Sequence, residues 1–117
     1  MPTDEFSGPS YRGGRRFSNP TSVNNFITNR FSVTNSSQVL TAPGGTTDDV
    51  TPLFSGVRIK ADAANAEPVY IAGGRTASAT GGFPISANEE VFIDIDRLEF
   101  IRVASAGGGE TITYIGS

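Results

Sequence analysis

The alternation of apolar and polar positions starts late in this chain. From Met1 to Asn29 the apolar residues Phe6, Tyr11, Phe17, Val23, Phe26 and Ile27 are separated irregularly by Ser, Asn, Gly, Arg and Pro. No window there gives a helical or an alternating face. Gly8-Pro9 and Asn19-Pro20 break any regular element. Phe31-Ser32-Val33-Thr34 is the first alternating run, and Gln38-Val39-Leu40 continues it beyond Asn35-Ser36-Ser37. Pro43 to Asp49 is a loop by composition. Val57, Ile59 and Ala61 then alternate with Arg58, Lys60 and Asp62, the pattern of a half-buried strand. Pro68 to Ala72 predicts a second strand, ended by Gly73-Gly74. Arg75 to Thr80 reads as a short edge strand before Gly81-Gly82.

The stretch from Asn88 to Val103 fits two periods. Ser86 or Asn88 followed by Glu89-Glu90 resembles a helix cap, with Val91, Ile95 and Leu98 at helical spacing. Val91, Ile93 and Ile95 also alternate with Phe92, Asp94 and Asp96, and the β-branched content favours a strand. The predicted order is a strand over Glu90–Asp94, a turn at Asp96-Arg97 and a strand over Glu99–Ala104. A hairpin through Gly107-Gly108-Gly109 then leads into Thr111–Ile115. Short strands punctuated by glycine predict an all-β fold, a small antiparallel β-sandwich or barrel over residues 31–117. An extended arm over residues 1–30 precedes it.

Charge sharpens this division. Up to about residue 45 the chain holds Arg12, Arg15, Arg16 and Arg30 against Asp4 and Glu5, a balance of 4 − 2 = +2. The remainder holds Arg58, Lys60, Arg75, Arg97 and Arg102 against 10 carboxylates, a balance of 5 − 10 = −5. A basic, aromatic arm on a small acidic body suggests a subunit that completes its structure on a partner. Ordering the arm costs about 1–2 kcal/mol per residue in backbone entropy. Aromatic anchors alone do not offset that. An ordered arm therefore also needs backbone hydrogen bonds, as when a strand adds to another sheet.

Composition removes several chemistries. The chain has 0 Cys and 0 His. Disulfides and thiolate metal sites are excluded, and the usual general base is missing. Lys60 is the only lysine, and no Ser-x-x-Lys precedes it. The glycine pairs match neither a dinucleotide fingerprint nor a phosphate loop, and turns explain them better. Asp94-x-Asp96 and Asp48-Asp49 are the candidate carboxylate pairs, and a solvated strand face and an acidic loop account for them more simply. Asn35-Ser36-Ser37 fits a glycosylation sequon but follows no export signal. No catalytic residue, cofactor or metal is expected. No apolar run approaches a membrane span. The N-terminus lacks the features of a signal peptide, so synthesis in a cytosol is expected. A pI near 4.8 argues against general nucleic-acid binding. Tyr11, Arg12, Arg15, Arg16 and Phe17 do resemble single-strand binding segments. Arg also makes bidentate pairs with carboxylates. A protein partner is the preferred reading for these five residues together with Phe26 and Arg30.

From Val57 onward the order of features resembles a known group. Pro68-Val69-Tyr70-Ile71-Ala72-Gly73-Gly74 precedes a Thr/Ser/Ala stretch and Gly82-Phe83-Pro84-Ile85. Asn88-Glu89-Glu90, an alternating strand, Asp96-Arg97-Leu98 and a final hairpin follow. This is similar to the small β-domains of tailed-bacteriophage virion proteins, and with its arm it resembles head decoration (cement) proteins. The resemblance covers about half the chain and carries over no functional residue. It implies a non-enzymatic virion protein, made in the host cytoplasm, on the outer surface of the head. The arm would clamp subunits of the major capsid protein, and the β-body would self-associate, as a homotrimer. The alternative is a tail or fibre module that contacts host surface glycans. Its aromatic candidates in the body are Phe83 and Tyr70, both of which read more naturally as core. A third reading is a nucleic-acid chaperone acting through the arm.

Overall fold

The computed structural model describes residues 26–117. Eight strands run in chain order: β1 (Ile27–Val33), β2 (Gln38–Val39), β3 (Val57–Ala61), β4 (Val69–Gly73), β5 (Phe83–Ile85), β6 (Glu90–Ile93), β7 (Ile101–Ser105) and β8 (Glu110–Gly116). A 3-10 turn, Leu98–Phe100, precedes β7. The strands form two four-stranded sheets, ordered β1-β8-β3-β6 and β2-β7-β4-β5. Every pairing is antiparallel. This strand order is that of a jelly roll, two Greek keys folded into a sandwich. The predicted antiparallel β-sandwich is therefore the observed fold.

Alternation explains which face each strand buries. Val57, Ile59 and Ala61 of β3 point inward, while Arg58 and Lys60 point outward. Ile112 and Tyr114 of β8 meet them from the neighbouring strand, and Ile101 and Val103 of β7 meet them from the opposite sheet. Leu40 and Leu53 complete the core from the long connection between β2 and β3. That connection is pinned to the end of the sandwich. Leu53 N–H donates to Asp96 O at 2.9 Å and Leu98 N–H to Thr51 O at 3.0 Å. The buried Glu99 carboxylate accepts from Thr51 N–H at 2.8 Å and from the Thr51 hydroxyl at 2.6 Å.

Some elements differ from the sequence reading. β1 begins at Ile27, ahead of the first obvious alternation at Phe31, so Ile27 to Arg30 lie in a strand. Arg75 to Thr80 form bends and turns, and the edge strand is Phe83–Ile85 instead. Glu99 lies in the 3-10 turn, and the strand expected there starts at Ile101. Phe83 is not core: it sits on the edge strand and is 59% exposed. Tyr70 is half-buried. Positive φ holds at Gly74, Gly108 and Gly109, as the turn reading requires, but not at Gly73, Gly81, Gly82 or Gly107.

The outer faces of the two sheets have different fates. The connection between β4 and β5 folds back over the β2-β7-β4-β5 sheet. Ala77 packs there against Ala72 and Ala104, and its N–H donates to the Ser37 hydroxyl at 3.0 Å. The β1-β8-β3-β6 sheet has no such cover among the described residues.

Candidate protein-docking face

The uncovered sheet presents its outward residues as a grid set by strand register. One row runs Thr28, Ile115, Arg58 and Phe92 across β1, β8, β3 and β6. The next row runs Arg30, Thr113, Lys60 and Glu90. Three cations thus share one face. Between them lies a shallow depression of about 470 Å³, lined also by Thr28 and Thr113. Thr113 separates Arg30 from Lys60, so the floor of the depression is small and the long side chains stand around it.

The charge of this face differs from that of the body. Residues 26–117 hold 6 Arg and Lys against 10 Asp and Glu, a balance of −4. The face holds Arg30, Arg58 and Lys60 against Glu90 and the adjoining Asp62 and Asp94, a balance of 3 − 3 = 0. Arg30 Nη2 lies 3.3 Å from Asp62 Oδ2, and Arg58 Nη1 lies 3.7 Å from Glu90 Oε2. Exposed pairs of this kind contribute about 0–1 kcal/mol and exchange readily for a partner's carboxylates. Arg58 also stands 5.7 Å over the Phe92 ring.

Apolar surface adjoins the cations. Phe26 is 65% exposed and Phe92 50% exposed, and both line a hollow with Ile115, Arg58 and Ser117. Phe54 is exposed nearby in sequence to the Ser55-Gly56 wall of that hollow. Exposed aromatics beside arginine are the composition of an interface centre. Beneath the face, Tyr114 points into the core and its hydroxyl donates to Thr41 O. Burial pushes its pKa above the ordinary tyrosine value, a hydrogen bond with the Asn29 side chain opposes this, and the Glu99 charge adds to it.

Of the seven residues predicted to bind a partner, the structure brings Phe26 and Arg30 to this one face. Tyr11, Arg12, Arg15, Arg16 and Phe17 lie outside the described residues. The sequence reading missed Arg58, Lys60, Phe92 and Ile115 as site residues. It placed Arg58 and Lys60 correctly on the polar side of a strand, but their grouping with Arg30 depends on β8 standing between β1 and β3. Asp94 and Asp96 are exposed, and no cluster of metal-ligating side chains occurs among the described residues. No helix among those residues is long and apolar enough to cross a membrane. No family model, no curated protein and no solved structure matches this chain.

Proposed function

We propose that this chain is a head decoration protein of a tailed bacteriophage, which binds the outer surface of the major capsid shell and stabilises the head. One observation carries the reading. The sheet face that no described residue covers combines three cations with exposed aromatics, and the chain enters the described fold at Phe26, on its edge. In this reading the arm and the face act together on an acidic protein lattice. The jelly-roll order supports this as an analogy of fold, because viral capsid domains use it widely. The same surface suits clamping: Phe26 and Arg30 engage one subunit while Tyr11, Arg12, Arg15, Arg16 and Phe17 reach the next. Self-association as a homotrimer, through exposed phenylalanines such as Phe54 and Phe100, belongs to this proposal.

The test mixes purified protein with undecorated heads. Removal of residues 1–25 leaves β1 intact. The truncated chain should lose most of its binding. The Arg30→Glu, Arg58→Glu, Lys60→Glu variant should lose it as well. Binding equal to that of the full chain in both cases sinks the proposal. Sedimentation at three times the 12.3 kDa chain mass is expected for the free protein.

One observation favours a second reading. Phe83 lies at the surface, so the aromatic platform that a glycan-binding tail or fibre module needs is more available than the sequence implied. Lectin domains also use jelly rolls. Retention of the chain on a glycan array, lost in Phe83→Ala, would move the assignment there.

A further inference from the structure

The outer face of the β1-β8-β3-β6 sheet has a direction, and it runs along β8. Its floor is made by the outward residues Thr113 and Ile115 of β8, and its walls come from β1 and β3. The depression beside Arg30 and Lys60 and the hollow beside Phe26 share Arg58 and Ile115, so they join end to end as one trough. At the Gly116-Ser117 end lies the hollow of about 260 Å³, where Phe26, Phe92 and Ile115 supply apolar surface. At the Thr113 end, strand register sets Arg30 and Lys60 on either side of one threonine. Arg58 stands between the two ends. The acids of the face leave this track open. Glu90 reaches Arg58 from β6 at 3.7 Å, Asp62 reaches Arg30 at 3.3 Å, and Asp94 lines neither depression.

Strand geometry gives the trough its measure. Arg58 and Lys60 lie two residues apart on β3, about 6.7 Å, and the hollow opens a similar step beyond Arg58, at Gly56. Arg30 and Lys60 lie two strand spacings apart, about 9.5 Å. Their side chains stand up inside that distance. A helix measures about 10–12 Å across with its own side chains and does not enter between such walls. An extended chain does. Its same-face side chains repeat every two residues, the step that separates the hollow, Arg58 and Lys60. A carboxylate above Thr113 accepts charge-assisted hydrogen bonds from Arg30 and Lys60 together.

We propose that the protein partner enters this trough as an extended segment running along β8, with a large apolar side chain in the hollow and carboxylates two and four residues along. The first carboxylate meets Arg58, and the second sits between Arg30 and Lys60. The inference rests on the docking reading of this face and adds what the partner presents: apolar-x-acidic-x-acidic, counted from the hollow. Alternation makes the spacing selective, because adjacent acids on a strand point to opposite sides and only one of them can face the cations. Thr113 makes the track passable, since a long side chain there would fill the floor between Arg30 and Lys60.

The test titrates the full chain with the synthetic peptide Ser-Phe-Thr-Glu-Thr-Glu-Ser and with its reverse, and records amide signals. With at least one of them the amides of Thr28, Thr113 and Ile115 should shift, while those of Ala72 and Ala104 on the covered sheet should not. The peptide with both Glu replaced by Gln, and the adjacent-acid peptide Ser-Phe-Glu-Glu-Thr-Thr-Ser, should each bind roughly tenfold more weakly. Thr113→Phe should abolish the shifts with the rest of the spectrum unchanged, and Lys60→Gln should weaken binding. No shift with either peptide, or shifts centred elsewhere, overturns the site. Equal affinity for the glutamine peptide overturns the role of the cations, and equal affinity for the adjacent-acid peptide overturns the extended segment. The chain's own Phe92-x-Asp94-x-Asp96 has the same pattern and is exposed. Shifts at the trough amides on concentrating the chain alone, lost in Asp94→Asn, therefore name a second copy as the occupant and overturn the proposal. The docking reading fails separately. Head binding lost in the Arg30→Glu, Arg58→Glu, Lys60→Glu variant without peptide binding keeps that reading and removes the extended segment. Peptide binding with head binding unaffected by that variant keeps the segment and removes the capsid.

Discussion

Replacing Thr51 by Val tests how the long connection between β2 and β3 is held. The Glu99 side chain is 1% exposed and that of Arg97 is 34% exposed, with Arg97 Nε 3.6 Å from Glu99 Oε1. That ion pair is loose, so the carboxylate depends on Thr51 for its closest donors, at 2.8 and 2.6 Å. The substitution keeps the shape and the backbone N–H but removes the hydroxyl. A hydrogen bond to a charged group is worth about 1.5–3 kcal/mol, and the buried oxygen is left without that donor. The expected loss is therefore about 2 kcal/mol. In a domain of this size that lowers Tm by roughly 8–16 °C. Glu99→Ala removes both contacts, while Arg97 keeps its hydrogen bond to Asp49 O at 2.9 Å, and should cost more than Thr51→Val. Urea unfolding followed by circular dichroism reads both changes, with the midpoint shifted and the slope unchanged. The Thr51→Val, Glu99→Gln double variant should destabilise less than the two single changes summed. A Thr51→Val midpoint within about 0.5 kcal/mol of the parent, the scale of a neutral surface change, refutes the view that this contact ties the connection down.

Gly56 has φ +85°, and a Cβ there would stand 2.5 Å from Ile93 O, whereas Gly44 at φ +73° has open space. Gly44→Ala should cost about 1–2 kcal/mol for the left-handed backbone alone, and Gly56→Ala clearly more by thermal unfolding; equal losses would remove the steric argument. Tyr114 has a raised folded pKa, so its contribution is full below the unfolded value near 10 and is lost as pH rises through the folded value. Tyr114→Phe should lower stability at neutral pH by about 1 kcal/mol and flatten its fall above pH ~10; an unchanged alkaline slope contradicts this. Arg30→Gln and Arg58→Gln should each change stability by less than about 1 kcal/mol, so that binding losses in such variants report the docking face and not the fold; a larger drop in Tm would show that these pairs hold the sheet.

Much of the sandwich was legible because its strands alternate. β3 announces itself by Val57, Ile59 and Ala61 against Arg58 and Lys60, and the β7–β8 hairpin by three glycines between apolar runs. β5 was not legible. Phe83-Pro84-Ile85 buries only Ile85, so no alternation survives, and Pro84 is tolerated because the strand is an edge. Phe83 reads as core in the sequence because a large apolar residue beside a strand usually is. Its exposure follows from an edge position that pairing alone reveals. The start of β1 was hidden for a related reason. Ile27 and Phe31 face inward but are half-buried, and Asn29 occupies the inward position between them. The docking face was invisible in principle, since Arg30 and Lys60 are thirty residues apart and become neighbours only through β8.

The asymmetry between the two sheets gives the molecule its direction. Covering a sheet face requires a connection long enough to fold back and small enough to lie flat. The segment between β4 and β5 meets both needs with Ala77, against Ala72 and Ala104. Over the other sheet no described segment does so, and the outward residues there are too long to be covered flat. Arg30, Arg58 and Lys60 stand up from a threonine floor instead. A surface whose cations are only weakly paired, with phenylalanines beside it, gains most from a partner that supplies carboxylates and apolar contact together. The chain enters the described fold at Phe26, on the edge of this surface.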